Sequence, residues 1–174
     1  MEVYLIRHTE TVCEKGICYG QADVALKEPF LEQFDSIKSQ IPSDAVVFSS
    51  PLSRCTLLAN YLSPSVIIDS RLLEMNFGDW EMKNWDLIPP DDFVPWMTDF
   101  VNVAVPNGES FVDLHDRVND FLDNELQKNN SKPAIIVAHA GVIRSILCAI
   151  SNLPLKDAFQ NKVDYGDVIK IEIR

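Results

Sequence analysis

Two histidines and two arginines stand where apolar runs of this chain stop. Val3-Tyr4-Leu5-Ile6 halts on Arg7 and His8, and Ala45-Val46-Val47-Phe48 halts on Ser49-Ser50-Pro51-Leu52-Ser53-Arg54. Ala134-Ile135-Ile136-Val137-Ala138 halts on His139-Ala140-Gly141. Guanidinium forks and imidazoles gathered at one point make an anion site, and phosphate suits them because a planar fork pairs two oxygens at once. An imidazole can also attack phosphorus and hold the group covalently, splitting one hard transfer into two easier steps. Phosphoryl transfer spreads negative charge over equatorial oxygens, which fixed cationic donors stabilise without reorganising. One histidine then attacks, the other donates to an oxygen, and a carboxylic acid protonates the leaving alkoxide. The polar stretches offer Glu10, Glu74, Glu81 and Glu109 as that acid, and the pattern does not choose among them.

Competing chemistries fit these residues less well. A metal site would join His8 and His139 to a carboxylate, but no H-x-H or H-E-x-x-H spacing occurs, and arginines oppose a cation. A serine hydrolase wants G-x-S-x-G at a strand–turn–helix elbow; Ala138-His139-Ala140-Gly141 has histidine where serine belongs. A non-catalytic phosphate-binding module would use the arginines and leave the two histidines without a task.

Strands must carry these groups to one place. Apolar β-formers ending in polar residues before helix-like segments describe an α/β sheet, whose ligands sit beyond the carboxyl ends of parallel strands. Between the strands, Glu28 to Ile41 carries apolar residues at Phe30, Leu31, Phe34, Ile37 and Ile41, a helical stripe closed by Pro42. Ser50-Pro51 reads as a helix start, serine capping and proline first, with Leu52, Cys55, Leu58, Ala59 and Leu62 facing inward. Arg54 then lies in the first turn, where free N–H groups favour an anion. Thr11 to Leu26 is a loop beside the first strand end, and Val66-Ile67-Ile68 is a further short strand. Arg71 to Asp86 is acidic and aromatic. The stretch after it, punctuated by Pro89, Pro90 and Pro95 with apolar Phe93, Trp96, Met97, Phe100 and Val101, reads as a helical excursion on one side of the sheet. The leaving-group pocket depends on how Asp79–Val105 folds over that sheet. Ser110 caps a helix with the stripe Phe111, Leu114, Val118, Phe121, Leu122 and Leu126, on which His115 is a flank residue. Asn129-Asn130-Ser131-Lys132-Pro133 ends it. A helix over Val142–Ile150 follows His139, and Val168–Ile173 alternates like an exposed edge strand before the chain stops at Arg174.

At 174 residues the chain is read as one domain, 1–174, with 47% hydrophobic and 24% charged residues, as in ordinary globular proteins. A net charge of −11 argues against nucleic acid or an anionic membrane as partner. It also means that an anionic ligand meets an unfavourable long-range field, so that local donors must capture it. The four cysteines show no C-x-x-C pair, and no apolar run approaches membrane-span length. The expectation is a cytoplasmic protein with reduced thiols.

Arg7-His8-Thr9-Glu10-Thr11 resembles the R-H-G-[ED]-[ST] signature of the histidine phosphatase superfamily, which includes the cofactor-dependent phosphoglycerate mutases. Four further stretches resemble that family's elements in order: Ser49–Arg54, Leu73–Glu81, Pro106-Asn107-Gly108-Glu109-Ser110 and Val137–Arg144. The resemblance implies a three-layer α/β/α sandwich around a mostly parallel sheet, no metal and no cofactor. It implies His8 as the phosphorylated nucleophile, Arg7, Arg54 and His139 as the rest of the phosphate pocket, and Glu74 as the acid; catalysis then falls to His8, Glu74 and His139. If Glu74 instead pairs with Arg71, three residues back, it is an ordinary loop carboxylate. Gly16–Leu26 is most similar to the α-ribazole phosphatases of cobalamin assembly, which makes Thr11, Gly20 and Gln21 candidate substrate contacts. The partner is then a small phosphorylated metabolite. A broad-specificity sugar-phosphate phosphatase and a phosphoglycerate mutase are the alternatives within the family.

Two departures stand out. Thr9 replaces the usual glycine, which is tolerable at negative φ but is expected to narrow the mouth of the site. The chain is also short beside the mutases, and less covering over the site suits hydrolysis.

Overall fold

The computed structural model describes residues 1–129 and 131–173; the helix stop drawn through Asn130 and the chain end at Arg174 lie outside them. One sheet holds β1 (Glu2–Arg7), β2 (Val46–Ser49), β3 (Val66–Ile68), β4 (Ala134–Ala138) and β5 (Val168–Glu172), in the order β3-β2-β4-β1-β5. The pairs β3–β2, β2–β4 and β4–β1 are parallel, and β5 closes the edge antiparallel to β1. All five residues of β4 are buried, as a strand covered on both faces must be.

Alternation sends the central strands' side chains into two cores. Val3, Leu5, Phe48, Ala134 and Ile136 face one layer, made by α3 (Pro90–Thr98), α4 (Phe111–Phe121) and α5 (Ala140–Ser151) through Trp96, Leu114, Val118, Val142, Ile143 and Ile146. Tyr4, Ile6, Val47, Ile135 and Val137 face the other. There α1 (Leu31–Lys38) supplies Phe34 and Ile37, and α2 (Ser53–Leu62) supplies Cys55, Leu58 and Ala59. The architecture is therefore α/β/α, as the resemblance implies.

Local chemistry explains most of the boundaries. Ser110 and Asp113 form a reciprocal capping box at the start of α4, each accepting from the other's backbone N–H. Other boundaries differ from the sequence reading. α1 occupies only eight residues of the Glu28–Ile41 stripe, and Leu31 is exposed rather than facing inward. α2 begins at Ser53 with Leu52 at its cap, not at Ser50-Pro51. The Ser50 side chain is fully buried, and its Oγ lies 2.8 Å from His139 Nε2. Tertiary hydrogen bonding there overrides the local capping preference.

Candidate active site

Parallel register levels three strand ends. Arg7 lies opposite Ala138 and Ser49 opposite Val137, so His8, Ser50 and His139 emerge side by side at the carboxyl edge. Backbone bonds hold them there, His8 N–H to the Ala138 carbonyl at 3.2 Å and Ser50 N–H to the Val137 carbonyl at 3.0 Å. The two imidazoles meet edge to face with centroids 5.2 Å apart.

His8 is 2% exposed, and its Nδ1 lies 2.8 Å from the carbonyl oxygen of Thr9. A carbonyl can only accept, so Nδ1 carries the proton and Nε2 keeps the lone pair. Burial first, then the charges of Arg54 and Arg7, lower the His8 pKa to about 3 against the raising effect of the Thr9 bond. His8 is thus a neutral imidazole with a free Nε2 at neutral pH. His139 is fully buried, with Nε2 2.8 Å from Ser50 Oγ and 3.5 Å from Cys55 Sγ. Burial, and then His8 and the surrounding arginines, hold its pKa well below the ordinary imidazole value.

These depressed values carry a stability consequence. The unfolded chain binds more protons than the folded one between the ordinary imidazole pKa of about 6.5 and the folded His8 value, so stability rises with pH across that window. Thermal melting followed from pH 7 down to pH 4 should show a smaller loss for His8→Ala than for the wild type. Equal losses would mean that His8 is no harder to protonate in the folded chain.

Both arginines are anchored, and both retain a buried Nε with no partner. Arg7 Nη1 donates to the Val163 carbonyl at 2.8 Å, and its guanidinium carbon stands 3.9 Å from the Tyr165 ring centre. Arg54, fully buried at the start of α2, donates from Nη1 to the Ala22 carbonyl at 2.7 Å and from Nη2 to that of Gly20. Buried donors without acceptors are rare in folded proteins, and two at one strand edge fit a site that takes an oxygen-rich ligand. Arg54→Lys keeps the charge but loses the fork and both loop bonds. It should lower kcat/KM roughly 100- to 1,000-fold. A wild-type rate would show that a point charge suffices.

The four open carboxylates part company here. Glu10 is exposed and pairs with Lys27 at 3.5 Å. Glu81 accepts from the backbone N–H groups of Gly20, Gln21, Ala22 and Phe77 and so builds the loop. Glu109 forms a two-bond pair with Arg117 at 2.8 and 3.0 Å. Glu74 accepts from Met75 N–H at 2.9 Å and Gly141 N–H at 3.0 Å, and of the four it alone lines a cavity walled by aromatics; Glu10 lines a separate polar one with Lys27, Glu28 and Glu32. Arg71 does not hold it: that guanidinium pairs with Asp69 and Asp120, each at 2.6 Å. A Cβ on Gly141 would run into the Glu74 carboxylate, so glycine there leaves it its place.

The cavity at Glu74 measures about 350 Å³. Phe77, Trp85, Phe93, Trp96, Phe100, Phe111 and Phe159 line it with Met75 and Met97, and its charged residues are Glu74 and Arg144. The excursion over Asp79–Val105 supplies four of these aromatics, Trp85, Phe93, Trp96 and Phe100, and so builds a pocket wall.

Other sequence candidates have visible tasks within the chain. Thr11 Oγ1 donates to the Tyr19 hydroxyl at 3.2 Å, Gln21 Nε2 donates to the Glu74 carbonyl at 3.1 Å, and the Gly20 carbonyl holds Arg54. Thr9 has negative φ and is 1% exposed, its methyl facing Gly166, so it lies under the loop and does not narrow the mouth. His115 Nδ1 lies 2.9 Å from Ser145 Oγ, a contact between α4 and α5. Arg117 went unread in the sequence: it donates to the carbonyls of Arg71, Leu73 and Glu74 and carries the segment that presents Glu74. Those carbonyls lie more than 40 residues back, and no local pattern signals them. Among the described residues, no group of three or more His, Cys, Asp or Glu side chains is placed to hold a metal ion.

Comparison with known proteins finds many that are similar to this chain. The family model of the histidine phosphatase superfamily (branch 1) matches residues 3–174. The adenosylcobalamin/alpha-ribazole phosphatase of Salmonella typhimurium is 27% identical over 184 residues, covering 99% of this chain and 91% of that protein. A Hydrogenobacter thermophilus protein provisionally named phosphoserine phosphatase 2 is 27% identical over 98% of this chain and 89% of its own length. The crystal structure of the alpha-ribazole phosphatase from Shigella flexneri superposes with a TM-score of 0.89 at 28% identity, covering 100% of this chain and 91% of that one.

Proposed function

The chain belongs to the histidine phosphatase superfamily (branch 1), and we propose that it removes phosphate from α-ribazole 5′-phosphate through a phosphohistidine on His8. The aromatic cavity beside Glu74 carries the substrate half of this reading. The leaving group is a benzimidazole riboside, flat and apolar at its base, and an aromatic-walled cavity of about 350 Å³ suits such a ring. Each well-placed ring pair adds about 0.5–1.5 kcal/mol beyond burial. The Salmonella typhimurium and Shigella flexneri relatives carry the same substrate in their names. Phosphoserine, suggested by the Hydrogenobacter thermophilus relative, is the second reading. Its leaving group is small and zwitterionic and leaves the aromatic walls without a partner.

In the proposed reaction, the free Nε2 of His8 attacks phosphorus and the bond to the ester oxygen breaks. Arg7, Arg54 and His139 donate to the equatorial oxygens as charge builds there. The Glu74 carboxyl gives its proton to the departing alkoxide. Its carboxylate then takes a proton from water, whose oxygen attacks the phosphohistidine; the P–N bond breaks, inorganic phosphate leaves, and His8 is neutral again. The guanidinium cations of Arg7 and Arg54 fill the role that a metal fills elsewhere. We read residues 1–174 as one catalytic domain. Its free cysteines are in keeping with a cytoplasmic setting, and no described helix is long and apolar enough to cross a membrane.

The test is a panel of phosphomonoesters assayed after dialysis against EDTA. α-Ribazole 5′-phosphate should have a kcat/KM at least about tenfold above phosphoserine and the sugar phosphates, since each aromatic contact acts on the leaving group alone. A preference for phosphoserine would reassign the substrate. Activity lost with EDTA and restored by zinc, magnesium or manganese would revive metal chemistry.

A further inference from the structure

Two tyrosines cover the two phosphate arginines. Tyr165 lays its face on Arg7, with the guanidinium carbon 3.9 Å from the ring centre, and packs against His8 at 5.7 Å between centroids. Tyr19 stands over Arg54 at 5.2 Å. Their hydroxyls lie 2.8 Å apart, and Thr11 Oγ1 donates to the Tyr19 oxygen at 3.2 Å. The two rings therefore join the loop after β1 to the loop before β5 across the arginine pair.

Backbone bonds fix this placement. Gly166 N–H reaches the carbonyls of Arg7 and His8, each at 3.2 Å, and Arg7 N–H reaches the Asp167 carbonyl at 3.1 Å. Gly166 has a φ of +75°, a left-handed turn that costs glycine little and sets Tyr165 back over the end of β1. Tyr165 is 40% exposed, so a ring held this firmly at the surface is not there to fill the core. Burial raises the Tyr19 pKa to about 12, which keeps its hydroxyl protonated through the working range.

We propose that Tyr19 and Tyr165 form a bracket that sets the spacing of Arg7 and Arg54, with Tyr165 the positioning residue for Arg7. This rests on the reading of the site as a phosphate pocket. Neither ring takes part in a bond-making step; the bracket acts by holding the two forks where the transition state needs them. A face-on cation contact resists the swing of a long side chain, and the hydroxyl bond makes the two rings move as one.

The experiment measures inhibition by orthovanadate and inorganic phosphate in the wild type, Tyr19→Phe, Tyr165→Phe, the double Phe variant and Tyr165→Leu, with a thermal melt of each. The two Phe variants keep the ring faces and both remove the shared hydroxyl bond; Tyr19→Phe also removes the Thr11 bond. Each should weaken vanadate about threefold or more, and the double variant should be no worse than Tyr19→Phe alone. Tyr165→Leu should weaken vanadate about tenfold or more, with a smaller effect on phosphate and little change in melting. Additive Phe effects, or wild-type vanadate affinity in Tyr165→Leu, would overturn the bracket. If Tyr165→Leu does not fold, the Phe pair decides through its additivity. A wild type that binds neither anion would overturn the phosphate-pocket reading and the bracket with it, whereas failure of the variants alone leaves that reading standing.

Discussion

Replacing His8 by alanine should lower kcat/KM by roughly 10,000-fold or more while the chain stays folded. His8 directly follows β1, and its side-chain hydrogen bond goes to the carbonyl of its neighbour Thr9. Removing it breaks no side-chain hydrogen bond between elements, gives up ring contacts with His139 and Tyr165, and relieves the burial of an imidazole. What goes is, among the described residues, the imidazole whose unprotonated nitrogen stands at the edge of the arginine pair without a hydrogen-bond partner. His139 cannot substitute, because its Nε2 already faces Ser50 Oγ and Cys55 Sγ. The arginines and Glu74 remain, so residual turnover by direct attack of water is expected, as other enzymes retain some rate after losing a nucleophile. Near-normal turnover in a folded His8→Ala protein would remove the covalent mechanism.

Glu74→Gln should split substrates by leaving group. A sugar or riboside alkoxide needs a proton as it departs, so such esters should slow by roughly 100- to 10,000-fold. p-Nitrophenyl phosphate releases a phenolate that needs little protonation, and its rate should barely move. Met75 N–H and Gly141 N–H bond different oxygens of Glu74, so glutamine keeps one of the two bonds and a thermal melt must show that the loop survives the loss of the other. Gly141→Ala is the companion variant: its Cβ would displace the same carboxylate and should give the same leaving-group split without touching residue 74. Equal losses on both substrates would make Glu74 a binding or structural residue. No loss on either would send the search for the acid back to Glu10, Glu81 and Glu109.

How much of this site could be read in advance follows from the reach of each interaction. The strand ends were legible because three apolar runs stop on polar residues, and parallel register brings such stops level. The α4 start was legible because Ser110 and Asp113 are three residues apart and satisfy each other. The α2 start was misread for the opposite reason: Ser50 has the chemistry of a cap, yet His139, 89 residues on, takes its hydroxyl. Leu31 matched the helical stripe and lies exposed because α1 begins only there, after Pro29. Glu74 could not be singled out from residue types, since its distinction is the cavity beside it and the Gly141 N–H that reaches it from 67 residues away. The aromatic walls looked like an excursion because a pocket has no sequence period. Tyr165 gave no local signal at all, since its partners Arg7, His8 and Tyr19 come from the other end of the chain.

The central claim is a covalent phosphohistidine on His8, and rapid quenching tests it most directly. Enzyme is mixed with phosphorus-32-labelled substrate, stopped in alkali within milliseconds, where phosphohistidine survives, and digested for mapping. The account predicts label that resists alkali, is lost in acid and maps to the peptide carrying His8, and that is missing from His8→Ala. Turnover with no labelled protein at any time point, or label mapping to His139, would contradict it.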